Sequence, residues 1–337
     1  MQRDRHSSAL LLAQGASRRP AGVAVHASAT TARHFPSPWR AGSIALTVPG
    51  PARSSPISTP PHVAVVTGAG RGLGRAIAEQ LAARGYAVLA TDIDHAGAER
   101  TARALGGDAW AMELDVRDPQ AHRAAAAAAA ERGQLAVWVN NAGVLRTQKA
   151  WAHPDDDVRL TVEVNLLGAM WGSRAAVEAM RGAPDGCHII NMASIAAFAP
   201  VPGLALYAST KHGVMGFTTS LQGDLQAAGL PIRAHVVCPD AADTDMVRER
   251  ASDPDAAALW SLPLIEPAKV AERTVSLLDR RQLVLAIPAS RAWLVRALGP
   301  FPRITLKLLA LFRWMGERRR PPVVPVTKPS RARRRPA

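Results

Sequence analysis

Two groups of residues in this chain have the types and spacing for chemistry. In "YASTK", Tyr207 and Lys211 stand four residues apart. On a helix that spacing places both side chains on one face, about 5–6 Å from each other. A free tyrosine has a pKa of about 10, and a neighbouring ammonium favours its phenolate, so the pair is a candidate acid–base couple. The second group is the glycine run in "HVAVVTGAGRGLGRAIAEQL", residues 62–81. No register of Gly68, Gly70, Gly72 and Gly74 satisfies G-x-G-x-x-G, because Leu73 or Arg75 falls at the third glycine. The run does satisfy T-G-x-x-x-G-x-G, with Thr67, Gly68, Gly72, Leu73 and Gly74. Glycines there let the backbone turn tightly beside a pyrophosphate, and the following helix N-terminus receives the anion. Taken singly, a tyrosine–lysine pair also occurs as a plain surface pair, and glycine loops also serve as structural turns.

The elements that must hold these residues alternate along the chain. Apolar runs end in turns at "VAVVT", "YAVLATD", "AWAMELDV", "LAVWVNNAG", "CHIINMAS" and "IRAHVVCP". Between them the apolar spacing is helical, over about 75–85, 94–105, 119–132, 158–180 and 207–228. Strands that are apolar throughout, separated by helices, predict an α/β protein with a parallel sheet covered on both faces.

Several motifs then appear in a fixed order. "NNAG" supplies Asn141, Ala142 and Gly143, "VNLLG" supplies Asn165, "NMASIAA" supplies Ser194, and "YASTK" follows 13 residues after Ser194. Together with the glycine turn, over roughly 62–285, the chain resembles the short-chain dehydrogenase/reductase family. The resemblance implies a single Rossmann-type doubly wound domain and hydride transfer between a nicotinamide cofactor and a secondary alcohol or ketone. It implies catalytic roles for Asn165, Ser194, Tyr207 and Lys211. Tyr207 is the acid–base, with its pKa lowered by Lys211 and the oxidised nicotinamide. Lys211 also bonds the nicotinamide ribose, Ser194 donates to the substrate oxygen, and Asn165 holds a water that relays protons. Read alone, Asn165 could instead cap or kink its helix, and Ser194 could be a turn residue.

Cofactor choice turns on "VLATDID". Asp92 lies 18 residues beyond Gly74, close to the ~20 expected of an acid that bonds the adenosine ribose and repels a 2′-phosphate. NAD is expected, with NADP the alternative, because Arg71 resembles a basic residue found in NADP-using relatives. Asp92 could also simply cap the next helix. By the resemblance, Asp115 and Val116 lie around the adenine, and Pro239 and Thr244 near the nicotinamide. "PDAADT" departs from the family's P-G-x-V-x-T, with Asp240 in place of glycine and Ala242 in place of valine. Asp240, Asp243 and Asp245 crowd this loop, which reads as a solvated turn, and no metal is expected.

The 337 residues carry a net charge of +14, concentrated at the ends. Residues 1–61 hold 7 Arg against 1 acid, and 280–337 hold 15 Lys and Arg against 1 acid. Residues 62–279 hold 19 basic and 25 acidic residues, so the body is mildly acidic. Residues 1–60 are expected to be a disordered or targeting extension, or to follow from an early start codon. The catalytic domain is expected over 61–287, a basic amphipathic helical extension over 288–320, and a disordered basic tail over 321–337. The extension, with Trp293, Leu294, Leu298, Leu308, Leu309, Phe312 and Trp314, fits either a peripheral contact with an anionic membrane or packing on protein. Nucleic acid is not an expected partner, since no recognition fold accompanies the basic tail.

Two cysteines and no long apolar run suggest a cytoplasmic protein, with membrane association at most peripheral. Apolar stretches at 195–206 and 246–267, the latter with Trp260, Leu262, Leu264 and Ile265, suggest a hydrophobic substrate such as a steroid, retinoid or fatty-chain compound. The alternatives are an NADPH-dependent 3-oxoacyl-type carbonyl reductase and a non-catalytic NAD(H)-binding regulator. The resemblance implies a homodimer or homotetramer.

Overall fold

A computed structural model of the chain describes residues 61–320, apart from 184, 185 and 299. The expectations for residues 1–60 and 321–337 lie outside the described residues. The first half is a regular alternation: β1 (His62–Thr67), α1 (Gly72–Ala83), β2 (Ala87–Asp92), α2 (His95–Leu105), β3 (Trp110–Glu113), α3 (Pro119–Arg132) and β4 (Gln134–Asn140). There follow α4 (Asp155–Val162), α5 (Gly168–Met180), β5 (Cys187–Met192), α6 (Ala205–Ala227) and β6 (Ile232–Pro239). The chain then forms α7 (Asp245–Arg248), α8 (Pro267–Val275), β7 (Val284–Ile287), α9 (Ala289–Leu298) and α10 (Pro302–Arg319).

The seven strands form one parallel sheet in the order β3-β2-β1-β4-β5-β6-β7. Alternation within each strand gives two cores. Ala64, Val66, Val88 and Ala90 pack with Ile77 and Leu81 of α1 and with Val270 and Val275 of α8. Val63, Val65, Ala87 and Leu89 pack on the other face with Ala125 of α3, Met180 of α5 and Leu225 of α6. Winding reverses between β1 and β4, and an open parallel sheet leaves its ligand crevice at the carboxyl ends beside such a reversal.

Three elements are not foreseen in the sequence: β7, α8 and the four-residue α7. β7 has four residues and pairs with β6 at Val236–Pro239, too short a run to stand out from its surroundings. α8 is a nine-residue helix begun by Pro267. The long helix expected over 158–180 is instead α4 and α5 joined by a π turn at Glu163–Leu167, which contains Asn165. A π turn inside a helix often marks a functional position.

The helices that carry the site are fastened to the sheet by a buried polar network. Trp138 Nε1–H donates to Asn140 Oδ1 (2.8 Å), and Asn140 Nδ2 donates to Asn191 Oδ1 (2.7 Å) and Ser173 Oγ (3.1 Å). Asn191 Nδ2 donates to Thr218 Oγ1 at 2.9 Å. β4, β5, α5 and α6 are thereby held in one register. Asn140→Ala should destabilise the fold by roughly 2–4 kcal/mol, because buried Trp138 and Asn191 both lose a partner. A lowered urea midpoint with an unchanged slope would show it; an unchanged midpoint would remove the network from this account.

Candidate active site

The glycine turn opens directly from β1. Gly68 and Gly72 have φ of 64° and 55°, the left-handed region that glycine tolerates. Close approach fixes two of the glycines. A Cβ on Gly68 would stand 2.8 Å from Ala142 Cα, and one on Gly74 would overlap the Gly68 carbonyl and crowd Asn141 Nδ2. Arg71 occupies the N-cap of α1 without a side-chain cap bond, so the first-turn N–H groups face the crevice unscreened by the cap. A narrow glycine cradle at an uncapped helix N-terminus fits a pyrophosphate.

Gly68, Arg71, Gly72, Leu73 and Gly74 line a cavity of about 580 Å³. So do Asp92, Asp115, Val116, Asn141, Ala142, Gly143, Ser194, Tyr207, Lys211, Pro239 and Thr244. Thr67 and Asn165 are brought close but do not line it. The buried Thr67 hydroxyl accepts from Asn141 N–H (3.0 Å) and Ala142 N–H (3.1 Å). Asn165 accepts from Val144 N–H (2.7 Å) and donates to Val144 O (2.9 Å) and Thr210 Oγ1 (3.3 Å). Both side chains therefore hold the loop after β4 in place, Thr67 from β1 and Asn165 from the π turn.

Ser194 follows β5, and Tyr207 and Lys211 lie on the first turns of α6. The Ser194 hydroxyl accepts from Ala196 N–H at 3.1 Å. Lys211 is buried, donates from Nζ to Met192 O at 2.8 Å, and lies 5.5 Å from the Tyr207 ring centre. The lowered tyrosine pKa expected from the sequence is not what the protein alone produces. Burial pushes Tyr207 up to about 12, against a hydrogen bond with Ser194 that lowers it. Burial also brings Lys211 down to about 8. In an apolar cavity the cost of either charge exceeds what the pair returns. A lowered phenol pKa therefore requires a further positive charge.

At the end of β2, Asp92 accepts from Gly70 N–H through Oδ2 (2.9 Å) and from Asp94 N–H through Oδ1 (3.0 Å). Arg71 reaches across the mouth to Glu249 (3.2 Å) and Asp245 (3.8 Å). Asp115 pairs with Arg117, whose hydrogen bond holds the carboxyl below its usual range. Thr244 stands at the N-cap position of α7 without a side-chain cap bond, its methyl beside Gly72 of the glycine turn. The acidic loop is not simply solvated. Asp240 is largely buried and pairs with Arg291 of α9 at 2.6 Å, while Asp243 pairs with Arg248 at 2.7 Å and Asp245 with Arg71.

The apolar wall comes in part from where the sequence suggested. Ala199, Val201, Leu204, Met246 and Leu262 line the cavity, but Trp260 is buried behind it and Ile265 packs into the core. The remainder was missed. Leu294, Val295 and Leu298 of α9 and Leu308, Leu309 and Phe312 of α10 roof the cavity. Arg291 to Asp240, Arg319 to Ser261 O (2.8 Å) and the close approach of Gly316 to Ala257 fasten the two helices down. The apolar spacing of the extension was visible in sequence; the wall that it covers was not.

Comparison with known proteins agrees with this geometry. The model of the short chain dehydrogenase family matches residues 62–255, more than half of the chain, and the chain belongs to that family. Its curated relatives include the 3-oxoacyl-[acyl-carrier-protein] reductase FabG of Escherichia coli (strain K12). The two are 35% identical over 202 residues, 60% of this chain and 82% of that protein. Estradiol 17-beta-dehydrogenase 11 of Rattus norvegicus is 30% identical over 253 residues, 74% of this chain and 82% of that protein. Among solved structures, a short chain dehydrogenase/reductase from Burkholderia phymatum in complex with NAD superposes with a TM-score of 0.66. It is 28% identical and covers 70% of this chain and 92% of its own. A 3-ketoacyl-(acyl-carrier-protein) reductase from Brucella melitensis complexed with NADH gives 0.62 at 30% identity, covering 68% and 98%.

The chain is accordingly an oxidoreductase of a family that uses nicotinamide cofactors. Gly74→Ala, with its Cβ forced onto the Gly68 carbonyl, should weaken NADH binding by roughly tenfold or more. Fluorescence titration of NADH measures this, with circular dichroism confirming that the variant is folded.

Proposed function

We propose that the chain is an NAD-dependent oxidoreductase that interconverts a hydrophobic secondary alcohol and its ketone, with Tyr207 as the general acid–base. The observation that carries the reading is the placement of Tyr207, Lys211 and Ser194 in one apolar cavity that continues into the glycine turn. The catalytic domain is taken as residues 61–287, and residues 288–320 as its cap.

Bound nicotinamide supplies or accepts a hydride. The protein's part is to hold the reacting oxygen and move one proton. Ser194 donates a hydrogen bond to the substrate oxygen and orients it toward Tyr207. Tyr207 gives its hydroxyl proton to that oxygen in reduction and recovers it in oxidation. Lys211, fixed by Met192 O, bonds the cofactor ribose and stabilises phenolate as it forms. Asn165 keeps the loop after β4 against the site and orders the proton path from Lys211. Asn141, Ala142 and Gly143, tied to Thr67, form the floor beneath the cofactor. Val116 and Asp115 flank the adenine, and Pro239 and Thr244 the carboxamide.

NAD is favoured over NADP because Asp92, at the end of β2, is fixed by two backbone N–H groups, and a carboxylate there would repel a ribose 2′-phosphate. Arg71, the one feature that suggested NADP, is engaged by Glu249 and Asp245. The likeness to the Escherichia coli reductase favours a second reading, an NADPH-dependent 3-oxoacyl reductase. Asp92 opposes it. A non-catalytic NAD(H) sensor would need neither the assembled acid–base pair nor the roofed cavity. Assembly into a homodimer or homotetramer, through the helices that carry Asn165 and Tyr207, is part of this reading.

Tyr207→Phe should lower turnover by about 10²–10⁴-fold while leaving NADH affinity within about twofold, because only proton transfer is removed. Comparable turnover in the variant would refute the assigned chemistry. Asp92→Ala should raise NADPH affinity more than NADH affinity, and a variant that still discards NADPH would move the selector elsewhere. The pH dependence has a definite sign. Tyr207 is protonated at neutrality, so alcohol oxidation should accelerate from pH 6 to 8, while Lys211 keeps its charge up to about 8. Ketone reduction, which needs the protonated phenol, should not accelerate over that interval.

A further inference from the structure

The hairpin of α9 and α10 has two faces. The inner stripe of α10, Thr305, Leu309, Phe312 and Gly316, is turned to the cavity and to the segment Pro254–Trp260. On the opposite side stand Arg303, Lys307, Leu311, Trp314 and Arg318, all exposed. Trp314 is 47% exposed, Leu311 51%, and Trp293 of α9 73%. Seven of the ten exposed large hydrophobic residues among those described lie between 293 and 314. This outer face is also one-signed. Residues 289–319 hold seven Lys and Arg against one acid, Glu317, and Glu317 is paired with Arg313. Arg303, Lys307 and Arg318 have no acidic partner among the described residues. Arg318 instead lies 3.7 Å over the Trp314 ring.

Exposed tryptophan and leucine set among unpaired cations suit the boundary of an anionic lipid layer, where rings enter the interface and cations reach headgroups. No helix among the described residues is long and apolar enough to cross a membrane. The hairpin also lies beyond residue 255, where the match to the family model ends. We propose that α9 and α10 dock this protein flat on an anionic lipid surface, so that the same hairpin roofs the cavity within and faces lipid without. A lipid-borne substrate would then enter along the hairpin without crossing water. That last point rests on the proposed function; docking itself does not.

The test uses the full chain and vesicles of phosphatidylcholine with and without phosphatidylglycerol, at low and high salt. Wild type should co-sediment with the mixed vesicles and keep a salt-resistant fraction, because apolar insertion is not screened. The triple variant Trp293→Ser, Leu311→Ser, Trp314→Ser touches no cavity-lining residue. It should lose roughly tenfold or more of the partitioning and the whole salt-resistant fraction, with NADH affinity unchanged. Arg303→Glu, Lys307→Glu, Arg318→Glu should abolish the preference for phosphatidylglycerol. Docking is overturned if wild type stays in the supernatant, or if the triple variant binds as well as wild type, which would assign binding to charges elsewhere. It is also overturned if wild type ignores vesicles and light scattering shows the triple variant falling to a smaller assembly, which would make the face a contact between copies. Normal docking with no NADH binding would instead count against the proposed function alone.

Discussion

The Thr67 hydroxyl accepts two backbone N–H groups, from Asn141 and Ala142, at the one place where the parallel sheet reverses its winding. Everything functional in the molecule depends on that junction. β1 delivers the glycine turn there, and β4 delivers the loop that floors the crevice. Asn141 returns the interaction by donating to the carbonyls of Thr67 and Gly68 at 3.0 and 3.1 Å. With the two loops locked, Gly68 and Gly74 have no room for side chains, and the uncapped start of α1 is aimed into the crevice. The glycine cradle thus follows from topology, and its shape from a handful of hydrogen bonds between the two loops.

On the other side of the crevice the controlling quantity is burial. An ammonium in an apolar wall is costly, and Lys211 tolerates it through one backbone acceptor and a pKa brought down to about 8. The same burial holds Tyr207 in its protonated form. The pair alone is therefore set as an acid, and positive charge brought next to it would tip it toward a base. On the proposed chemistry, that dependence would link the charge state of a bound nicotinamide to the direction of proton transfer. The roof of α9 and α10 strengthens it by lining the cavity with leucine and phenylalanine side chains.

Most of the fold could be read from apolar runs and turn residues, because β1, β2, β4, β5 and β6 are buried along nearly their whole length and the longer helices between them alternate with those runs. The glycine turn and the Tyr207–Lys211 pair could be read from spacing together with the order of the motifs between them, which carries the family resemblance. What escaped notice depends on contacts between distant segments. Asp240 read as part of a solvated turn, yet Arg291, 51 positions later, draws it into an ion pair that fastens α9. Trp260 belongs to a stretch that suggests substrate contact, but it is buried outside the cavity lining, and the leucines of α9 and α10 occupy the wall instead. Thr67 and Asn165 also serve the scaffold, which spacing does not reveal: Thr67 accepts from the N–H groups of Asn141 and Ala142, and Asn165 bonds both backbone groups of Val144 and the Thr210 hydroxyl. Local sequence shows which residue types are available; only packing decides whether a polar side chain serves a ligand or the scaffold.

On the proposed function, this cavity passes a hydride between a nicotinamide and the carbonyl carbon of an apolar ketone. The most direct test is isotopic: NADH deuterated at C4, a panel of hydrophobic cyclic and long-chain ketones, and mass spectrometry of the alcohols formed. The account predicts deuterium at the carbinol carbon of at least one product with the wild-type protein, in step with NADH consumed. A protein that binds NADH tightly yet transfers no deuterium to any ketone of the panel would contradict it.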